Sequence, residues 1–588
     1  MNFRLFVSSG AVGAIAVAAL ASPSSAWATA AAPPSWQQVI VTGAGGQAGG
    51  LRADVRRIGG RVDTSLPVID GFTARVPAAQ VARLRQLPGV RSVTPDARGH
   101  LMGLDPALGY DVAGDQGSLY SVAQVTHAKD AWAHNITGRG VDVALIDSGV
   151  ARLPGLTSGN IVDGPDLSFD SQDPELTHRD TFGHGTHMAS IISGRDVAAS
   201  GATYARADSH RFTGIAPDAR VISVKVAASD GGTDVSQVIA AIDWVAQHAH
   251  APGYNIRVLN LSYGTDSVQD PTVDPLDFAV ENAWRAGITV VVSSGNDGTN
   301  RTALADPASD PLVLAVGADD TRGTDGVKDD VVPAFAQRGT ASRQVDLIAP
   351  GVHILGLRDP NSSADLANPG ARVGDRFFRG SGTSQAAAVV SGLAALYLSA
   401  KPTATPDQVK RALTMTASAP AYVKRLYAGL GVPDVNKAIG ALIPALSVQA
   451  PTGATGTGSL EAARGTIHAD NGTEALTGEQ DIFGSPWDAA TWAAASRAGT
   501  SWTDGIWSGS DWTGAGLSDS AWSGSGFASH GWSGTDWSSH GWSSHGWSSH
   551  GWSDVGWDSH GWSDSAWHSH GWSASTWSSH GWSNNSWD

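Results

Sequence analysis

Residues 141–147, VDVALID, form an apolar run that ends in an aspartate. Three later stretches have the same character, RVISVKV at 220–226, IRVLNLS at 256–262 and ITVVVSS at 288–294. Near-continuous runs rich in valine and isoleucine are typical of parallel strands that are covered on both faces. Between them, the stretch DVSQVIAAIDWVAQH repeats its apolar residues with helical spacing. The alternation predicts an α/β domain at about residues 118–440, with a mostly parallel central sheet flanked by helices.

Polar residues stand where three of these strands are expected to end, namely Asp147, Ser262 and Asn296. Open parallel sheets bind their ligands beyond the carboxyl ends of the strands. His184 lies in GHGTHMASIISG, where glycines and small residues lead into another helix. A serine hydroxyl becomes a nucleophile when a histidine accepts its proton, and that histidine needs a carboxylate to orient it. Asp147 and His184 are therefore candidates for two members of a hydrolytic triad.

The stretch RGSGTSQAAAVVSGLAALYL, residues 379–398, contains the candidate third member, Ser384. On this stretch alone, two interpretations remain open. Serine is a favoured helix N-cap, and the small apolar residues that follow indicate a helix buried on every side. The same serine could be the nucleophile, provided that a base and an oxyanion donor lie nearby.

Several motifs resemble those of the subtilisin-like serine peptidases, or subtilases. The segments ALIDSGV, GHGTHMAS and SGTSQAAA resemble the family's Asp, His and Ser motifs, and VVVSSGND resembles its oxyanion-asparagine segment. The segment VDLIAPGV resembles a further family segment. The chain order Asp, His, Ser differs from that of chymotrypsin-like enzymes and α/β-hydrolases. The resemblance implies that Ser384 is the nucleophile, His184 the general base and acid, Asp147 the orienting carboxylate and Asn296 an oxyanion donor.

The segment VLNLSYG resembles the family's substrate-backbone strand, which implies substrate binding by Ser262, Tyr263 and Gly264. Subtilases usually carry methionine after the serine and proline a few residues later, whereas this chain has Gln385 and then three alanines. Alanine is a strong helix former, so we expect the helix to survive. His187, three residues after the proposed base, is interpreted as structural.

The resemblance implies no required cofactor, and no residue is assigned as a metal ligand. Calcium is common in the family, and aspartates are plentiful in loops such as DGPDLSFDSQDPE. No EF-hand spacing occurs, so structural calcium stays without assigned residues.

The sequence of the N-terminal part indicates two separate segments, a signal peptide and a small folded module. Residues 1–30 combine one basic residue, an apolar stretch and small-residue cleavage sites, which indicates a secretory signal peptide. Residues 36–98 alternate three strand-like and two helix-like stretches, which predicts a small α+β sandwich of the ferredoxin-like, split βαβ kind. This module resembles the inhibitory propeptide of many subtilases. The resemblance implies that it guides folding, plugs the cleft with its last strand and is cut away near residues 97–120.

Residues 441–500, rich in Ala, Gly and Thr, are interpreted as a linker with little core. From residue 502 to 587 every fifth residue is tryptophan, except Leu517 and Phe527. A period of five matches neither strand nor helix, and four interpretations of this low-complexity tail at 501–588 compete. They are a surface element that binds glycans or self-associates, a solenoid with tryptophan inside, a metal-binding histidine array and a disordered segment.

Composition narrows the classes of protein. The absence of cysteine excludes disulfides, thiolate metal sites and a cysteine nucleophile, and a formal net charge of -17 argues against nucleic acid as a partner. No G-x-S-x-G elbow surrounds Ser384, which disfavours a lipase. We therefore expect a secreted, self-processing serine endopeptidase that acts on proteins or peptides and is extracellular or associated with the cell surface, with a tail that is either disordered or a surface element. The alternative is a surface-binding scaffold whose protease domain is inert.

Overall fold

The computed structural model describes residues 36–95, 111–207, 211–298, 301–443, 448–470 and 475–512, together with a two-residue strand at 528–529. The predicted signal peptide, residues 97–110 of the predicted maturation region and nearly all of the repeat lie outside these residues. The chain divides into two compact units, one before and one after residue 100. Each unit is described by itself.

The N-terminal unit is a four-stranded antiparallel sheet with two short helices. Its elements are β1 Trp36–Gly43, α1 Ala48–Arg57, β2 Arg61–Leu66, β3 Gly71–Pro77, α2 Val81–Arg85 and β4 Val90–Pro95. The strand order β2-β3-β1-β4 confirms the expected α+β sandwich. Strand β2 was not expected, because its side chains are mostly exposed at the sheet edge and show no apolar pattern.

The second unit is built on a seven-stranded parallel sheet. Its strands are β5 Asp142–Asp147, β6 Ile161–Asp166, β7 Arg220–Lys225, β8 Ile256–Leu261, β9 Thr289–Ser293, β10 Leu314–Asp319 and β11 Leu347–Pro350. They lie in the order β11-β10-β9-β8-β5-β7-β6, and every pair is parallel. A smaller antiparallel sheet holds β12 Ile354–Leu357, β13 Arg372–Val373 and β14 Phe377–Gly380. The expected α/β fold is confirmed, with the four predicted strands as β5, β7, β8 and β9.

Helices cover both faces of the parallel sheet. They are α3 Leu119–Val125, α4 Ala128–Ala133, α5 His184–Ser193, α6 Val235–His248, α7 Pro275–Arg285, α8 Ser363–Ala367, α9 Thr383–Ala400, α10 Pro406–Met415, α11 Arg425–Ala428 and α12 Val435–Gly440. Helices α6 and α7 pack in one apolar cluster, and α5 and α9 pack in another on the opposite face. Helix α9 is long enough and apolar enough to span a membrane, but most of it is buried in this core.

The prediction of a linker at 441–500 is wrong for the residues that the structure describes. This segment continues the α/β domain through α13 Leu460–Arg464, β15 Ala469–Asp470 and α14 Ala489–Ala498. Buried side chains such as Leu460, Ile482 and Trp492 belong to the same apolar cluster as the sheet and α6. The segment looked like a linker because small residues dominate it, and its few large apolar residues are buried by elements far away in the chain.

The first three units of the repeat form a small antiparallel meander of β16 Trp502–Thr503, β17 Ile506–Trp507 and β18 Ser510–Asp511. Each five-residue unit supplies one strand and one turn. Trp502, Trp507 and Trp512 are all buried and pack edge to face. These three indoles are therefore core residues rather than an exposed surface. A last described strand, β19 Ala528–Ser529, pairs with β15.

Candidate active site

Strand β5 ends at Asp147, and α5 begins at His184, so the two side chains meet above the carboxyl edge of the sheet. Nδ1 of His184 lies 2.8 Å from each carboxylate oxygen of Asp147. Both side chains are buried, with 0% and 1% of their surfaces exposed. A carboxylate in this position fixes the imidazole tautomer with the proton on Nδ1 and stabilises the charged ring.

Ser148 and Asp180, which the sequence interpretation missed, hold the backbone around Asp147 and His184 in place. The hydroxyl of Ser148 donates to Asp180 at 2.8 Å and accepts from the backbone N–H of Gly185 at 2.9 Å. The buried Asp180 carboxylate also accepts the N–H groups of Gly183 and Thr186, at 2.6 and 2.7 Å. Burial raises the pKa of Asp180, and these hydrogen bonds oppose that shift. Asp180 therefore anchors the turn that carries His184, and its place four residues before the histidine was the available signal.

Ser384 is the second residue of α9, and Gly382 rather than Ser384 is the N-cap. The helix forms without the family's proline, as expected. Gln385 is fully buried, and neither polar atom of its side chain has a hydrogen-bond partner among the residues described. The start of an 18-residue helix lies at the serine, and its free N–H groups favour negative charge there.

Asn296 follows the end of β9 and lines one cavity together with Ser384, Ser262 and Gly264. Its side-chain carbonyl accepts the backbone N–H of Thr383 at 2.9 Å and the Thr383 hydroxyl at 3.0 Å. Because the oxygen is held in this way, the amide is oriented with its NH₂ group as the remaining donor. Thr383 was not singled out from the sequence.

Comparison with known proteins matches the sequence of this domain to a family. A family model described as the subtilase family covers residues 138–441, more than half of the chain. The chain belongs to the subtilase family. Membership makes it a serine peptidase and a hydrolase. A second model, described as a putative peptidase inhibitor domain, covers residues 19–96.

Curated relatives of this subtilase are proteases. It is 37% identical to "Serine protease AprX" of Bacillus subtilis over 50% of this chain and 65% of that protein. It is 32% identical to "Extracellular serine proteinase" of a Thermus species over 63% of this chain and 77% of that protein. The solved "Crystal structure of a cold adapted subtilisin-like serine proteinase" matches 51% of this chain and 90% of its own, with 28% identity and a TM-score of 0.39. Because that score is low, the assignment rests on the sequence matches.

The predicted substrate segment of the subtilase follows the end of β8. Ser262 and Gly264 line the cavity beside Ser384, and the Ser262 hydroxyl lies 3.5 Å from the Ser384 carbonyl oxygen. The Tyr263 side chain instead packs into the apolar core of the domain, with 2% exposed. The Tyr263 side chain therefore points away from the cavity that its two neighbours line, as alternation of side chains along an extended segment requires.

His187 of the subtilase lies one helical turn after His184 and is fully buried. Its Nε2 donates to the carbonyl of Phe378 at 3.0 Å. Burial lowers the pKa of His187 to about 3, so the ring is neutral at ordinary pH. A neutral ring tied to a neighbouring strand agrees with the structural interpretation of this residue.

Proposed function

We propose that this subtilase is a secreted serine endopeptidase that releases its own N-terminal inhibitor domain and then cleaves protein or peptide substrates. The observation that supports the proposal is the hydrogen-bonded pair of Asp147 and His184 at the carboxyl edge of the sheet, together with the cavity that Asn296 and Ser384 both line. Secretion is supported by a relative whose name describes an extracellular serine proteinase.

In this proposal Ser384 Oγ attacks the carbonyl carbon of the scissile peptide bond. His184 accepts the hydroxyl proton and later delivers it to the leaving amine, while Asp147 stabilises the charged imidazole. The side-chain amide of Asn296 and the backbone N–H of Ser384 donate to the oxyanion, next to the start of α9. The acyl-enzyme that remains is hydrolysed by water with the same groups in the same roles.

The N-terminal domain is the proposed intramolecular inhibitor. Its match to a peptidase inhibitor model supports this role, and its independent core supports folding ahead of the domain that follows it. For the repeat, binding to cell-surface glycans or self-association stays a prediction that concerns residues 513–588. The first three repeat tryptophans do not support it, because all three are buried.

The test combines an active-site probe with a maturation assay. A fluorophosphonate labels only a serine activated by an assembled triad, so we expect labelling of the native chain and none of Ser384→Ala. Ser384→Ala should also retain the N-terminal domain and lose peptidase activity by a factor of about 10⁴–10⁶. Ser399→Ala, near the end of the same helix, is the matched control and should label and mature normally. Maturation of Ser384→Ala without added protease would contradict self-processing, and an unlabelled native chain would favour the inert scaffold.

A further inference from the structure

A fully buried lysine lies beside the catalytic aspartate. Lys225 ends β7, and it is the register partner of Asp147 on β5 and of Asp166 on β6. Residues in register on neighbouring strands place their side chains on the same face of the sheet. The Lys225 side chain is 0% exposed. The proposed mechanism gives this lysine no role, although burying an ammonium group is costly unless it is paired and hydrogen-bonded.

The ammonium group of Lys225 has a partner for each of its three protons. It donates to the backbone carbonyls of Ser148 and Ala227, each at 2.7 Å, and forms an ion pair with Asp170 at 3.0 Å. The Asp170 side chain is also buried, with 8% exposed. Because a lysine ammonium has three donors and no acceptor, these contacts use it completely.

The contact with the Ser148 carbonyl leads to the catalytic aspartate. The N–H of Ser148 donates to the Asp147 carboxylate at 2.8 Å, and its hydroxyl donates to Asp180 at 2.8 Å. Since Lys225 binds the carbonyl, Ser148 is restrained at its N–H, its hydroxyl and its carbonyl. Lys225 therefore limits the movement of the Asp147 carboxylate through the residue that follows it.

The ion pair with Asp170 leads to the catalytic histidine. Asp170 lies in a short 3₁₀ helix after β6 and accepts the hydroxyl proton of Thr181. Thr181 lies three residues before His184, in the turn that starts α5. Burial raises the pKa of Asp180 in the same turn, and the positive charge of Lys225 opposes that rise. One lysine is thus connected to both halves of the catalytic pair.

We propose that Lys225, with its ion-pair partner Asp170, is a positioning residue that holds Asp147 and His184 in the geometry that catalysis needs. The inference rests on the proposed peptidase function, and the lysine touches neither the substrate nor the reacting atoms. Replacing a buried ion pair by apolar side chains is often neutral or stabilising, so stability alone does not require a lysine here. A displacement of catalytic groups by about 1 Å can cost about a hundredfold in rate.

Steady-state kinetics of the matured enzyme test the proposal, with active sites counted by fluorophosphonate labelling. We expect Lys225→Met to lower kcat by about 10–100-fold and to leave KM within about twofold, because other elements line the cavity beside the nucleophile. Melting temperatures are measured in the Ser384→Ala background, which cannot digest itself. A native chain without labelling would overturn the peptidase function and this inference together. A labelled native enzyme whose kcat is unchanged by Lys225→Met would overturn the role of the lysine alone.

Lys410→Met is the matched control. Lys410 is a buried lysine on α10 that pairs with Asp346 at 3.2 Å and donates to the carbonyls of Pro311 and Val313, at 2.9 and 2.8 Å. None of these partners belongs to the segments that carry Asp147 or His184. We therefore expect Lys410→Met to lower the melting temperature as Lys225→Met does, while its kcat stays within about twofold of the native value.

A double variant separates positioning from folding. Lys225→Met alone leaves the Asp170 carboxylate buried without its cation, so the melting temperature should fall by about 5–10 °C. Lys225→Met with Asp170→Asn removes both charges and keeps an oxygen that accepts from Thr181, so it should recover most of that loss. Its kcat should stay low, because the Ser148 carbonyl still lacks its donor. Recovery of kcat together with the melting temperature would overturn the proposal, and so would an equal loss of kcat in Lys410→Met. If Lys225→Met does not fold, the double variant serves the same kinetic comparison.

Discussion

Two regions flank the catalytic core in the chain, and they are built in opposite ways. The N-terminal domain has a closed apolar core of its own, with Val39, Phe72 and Leu84 among its fully buried members. Among its described residues, the segment 448–512 shows no separate core, since its buried apolar side chains join the cluster of the central sheet and α6. A region that is to be removed can be self-contained, whereas a region that shares a core cannot leave without opening it.

Polar contacts show the same contrast. Helix α6 holds the C-terminal segment at two points. At its start, Asp234 pairs with Arg464 at 2.7 Å, and both side chains are fully buried. Halfway along it, the buried Asp243 accepts the indole N–H groups of Trp492 and Trp507, each at 2.9 Å. In the N-terminal domain, by contrast, Arg57 and Asp54 form an ion pair at the surface.

The largest expected effect is the difference in stability between a chain that loses the N-terminal domain and a chain that loses the C-terminal segment. In the Ser384→Ala background, cleavage after residue 98 by added mature enzyme should leave the remainder folded. A chain stopped after residue 447 would expose core side chains that the segment covers, such as Phe278, which packs against Trp492, and would leave Asp234 without Arg464. At about 2–3 kcal/mol per large side chain and about 3–5 kcal/mol for the broken pair, the loss is comparable to the stability of a whole domain. We expect that chain to be insoluble or without a cooperative melting transition.

The control for this comparison is a stop after residue 530, which keeps all the contacts described above and should keep the parent's melting temperature. A chain stopped after 447 that melts like the parent would show that the C-terminal segment is dispensable.

The two ion pairs allow a finer comparison. Arg464→Leu leaves a buried carboxylate uncompensated and should cost about 3–5 kcal/mol of unfolding free energy. Arg57→Leu is the matched substitution in the N-terminal domain, where the arginine side chain is 74% exposed, and should cost less than about 0.5 kcal/mol. Denaturant unfolding of the full-length Ser384→Ala chain measures both. Equal costs would mean that the Arg464 pair is solvated in solution.

The smallest effect concerns pH. Burial raises the pKa of Asp481, in the C-terminal segment, to about 6, although the N–H groups of Ser485 and Phe483 oppose the shift. Because this folded-state pKa exceeds the unfolded value, ionisation lowers stability as pH rises from about 4 to 6, by about 1–3 kcal/mol. Asp481→Asn should lack this loss and be more stable than the parent at pH 7.5. At pH 4 both chains hold a neutral side chain there, so the difference should vanish, and a difference that persists would contradict the assignment.

Four strands of the sheet, β5, β7, β8 and β9, could be predicted. They are covered on both faces, so their sequences are near-continuous apolar runs. Strand β6 could not, since IVDGPD lies at the edge of the sheet and carries polar residues, glycine and proline. Sequence reasoning predicted the site residues that stand at strand ends, Asp147 and Asn296, and at helix starts, His184 and Ser384. Asp180 and Thr383 were missed because their role depends on contacts that only the folded chain creates.

The C-terminal segment shows the main limit of sequence reasoning. Its burial depends on non-local partners, such as the Asp243–Trp492 contact across 249 positions. No local period signals such a contact. The tryptophan repeat carried a clear period, but its first three units fold as one strand each only because α6 and the indoles of the same segment cover them.

Because the chain runs without a break from the catalytic core through the buried meander, each catalytic core is joined to one C-terminal segment. Release of the N-terminal domain leaves residues 448–512 in place, so the remaining pentads stay covalently joined to the enzyme. Every molecule that releases the N-terminal domain in this way thus still carries one copy of the segment that completes its apolar core.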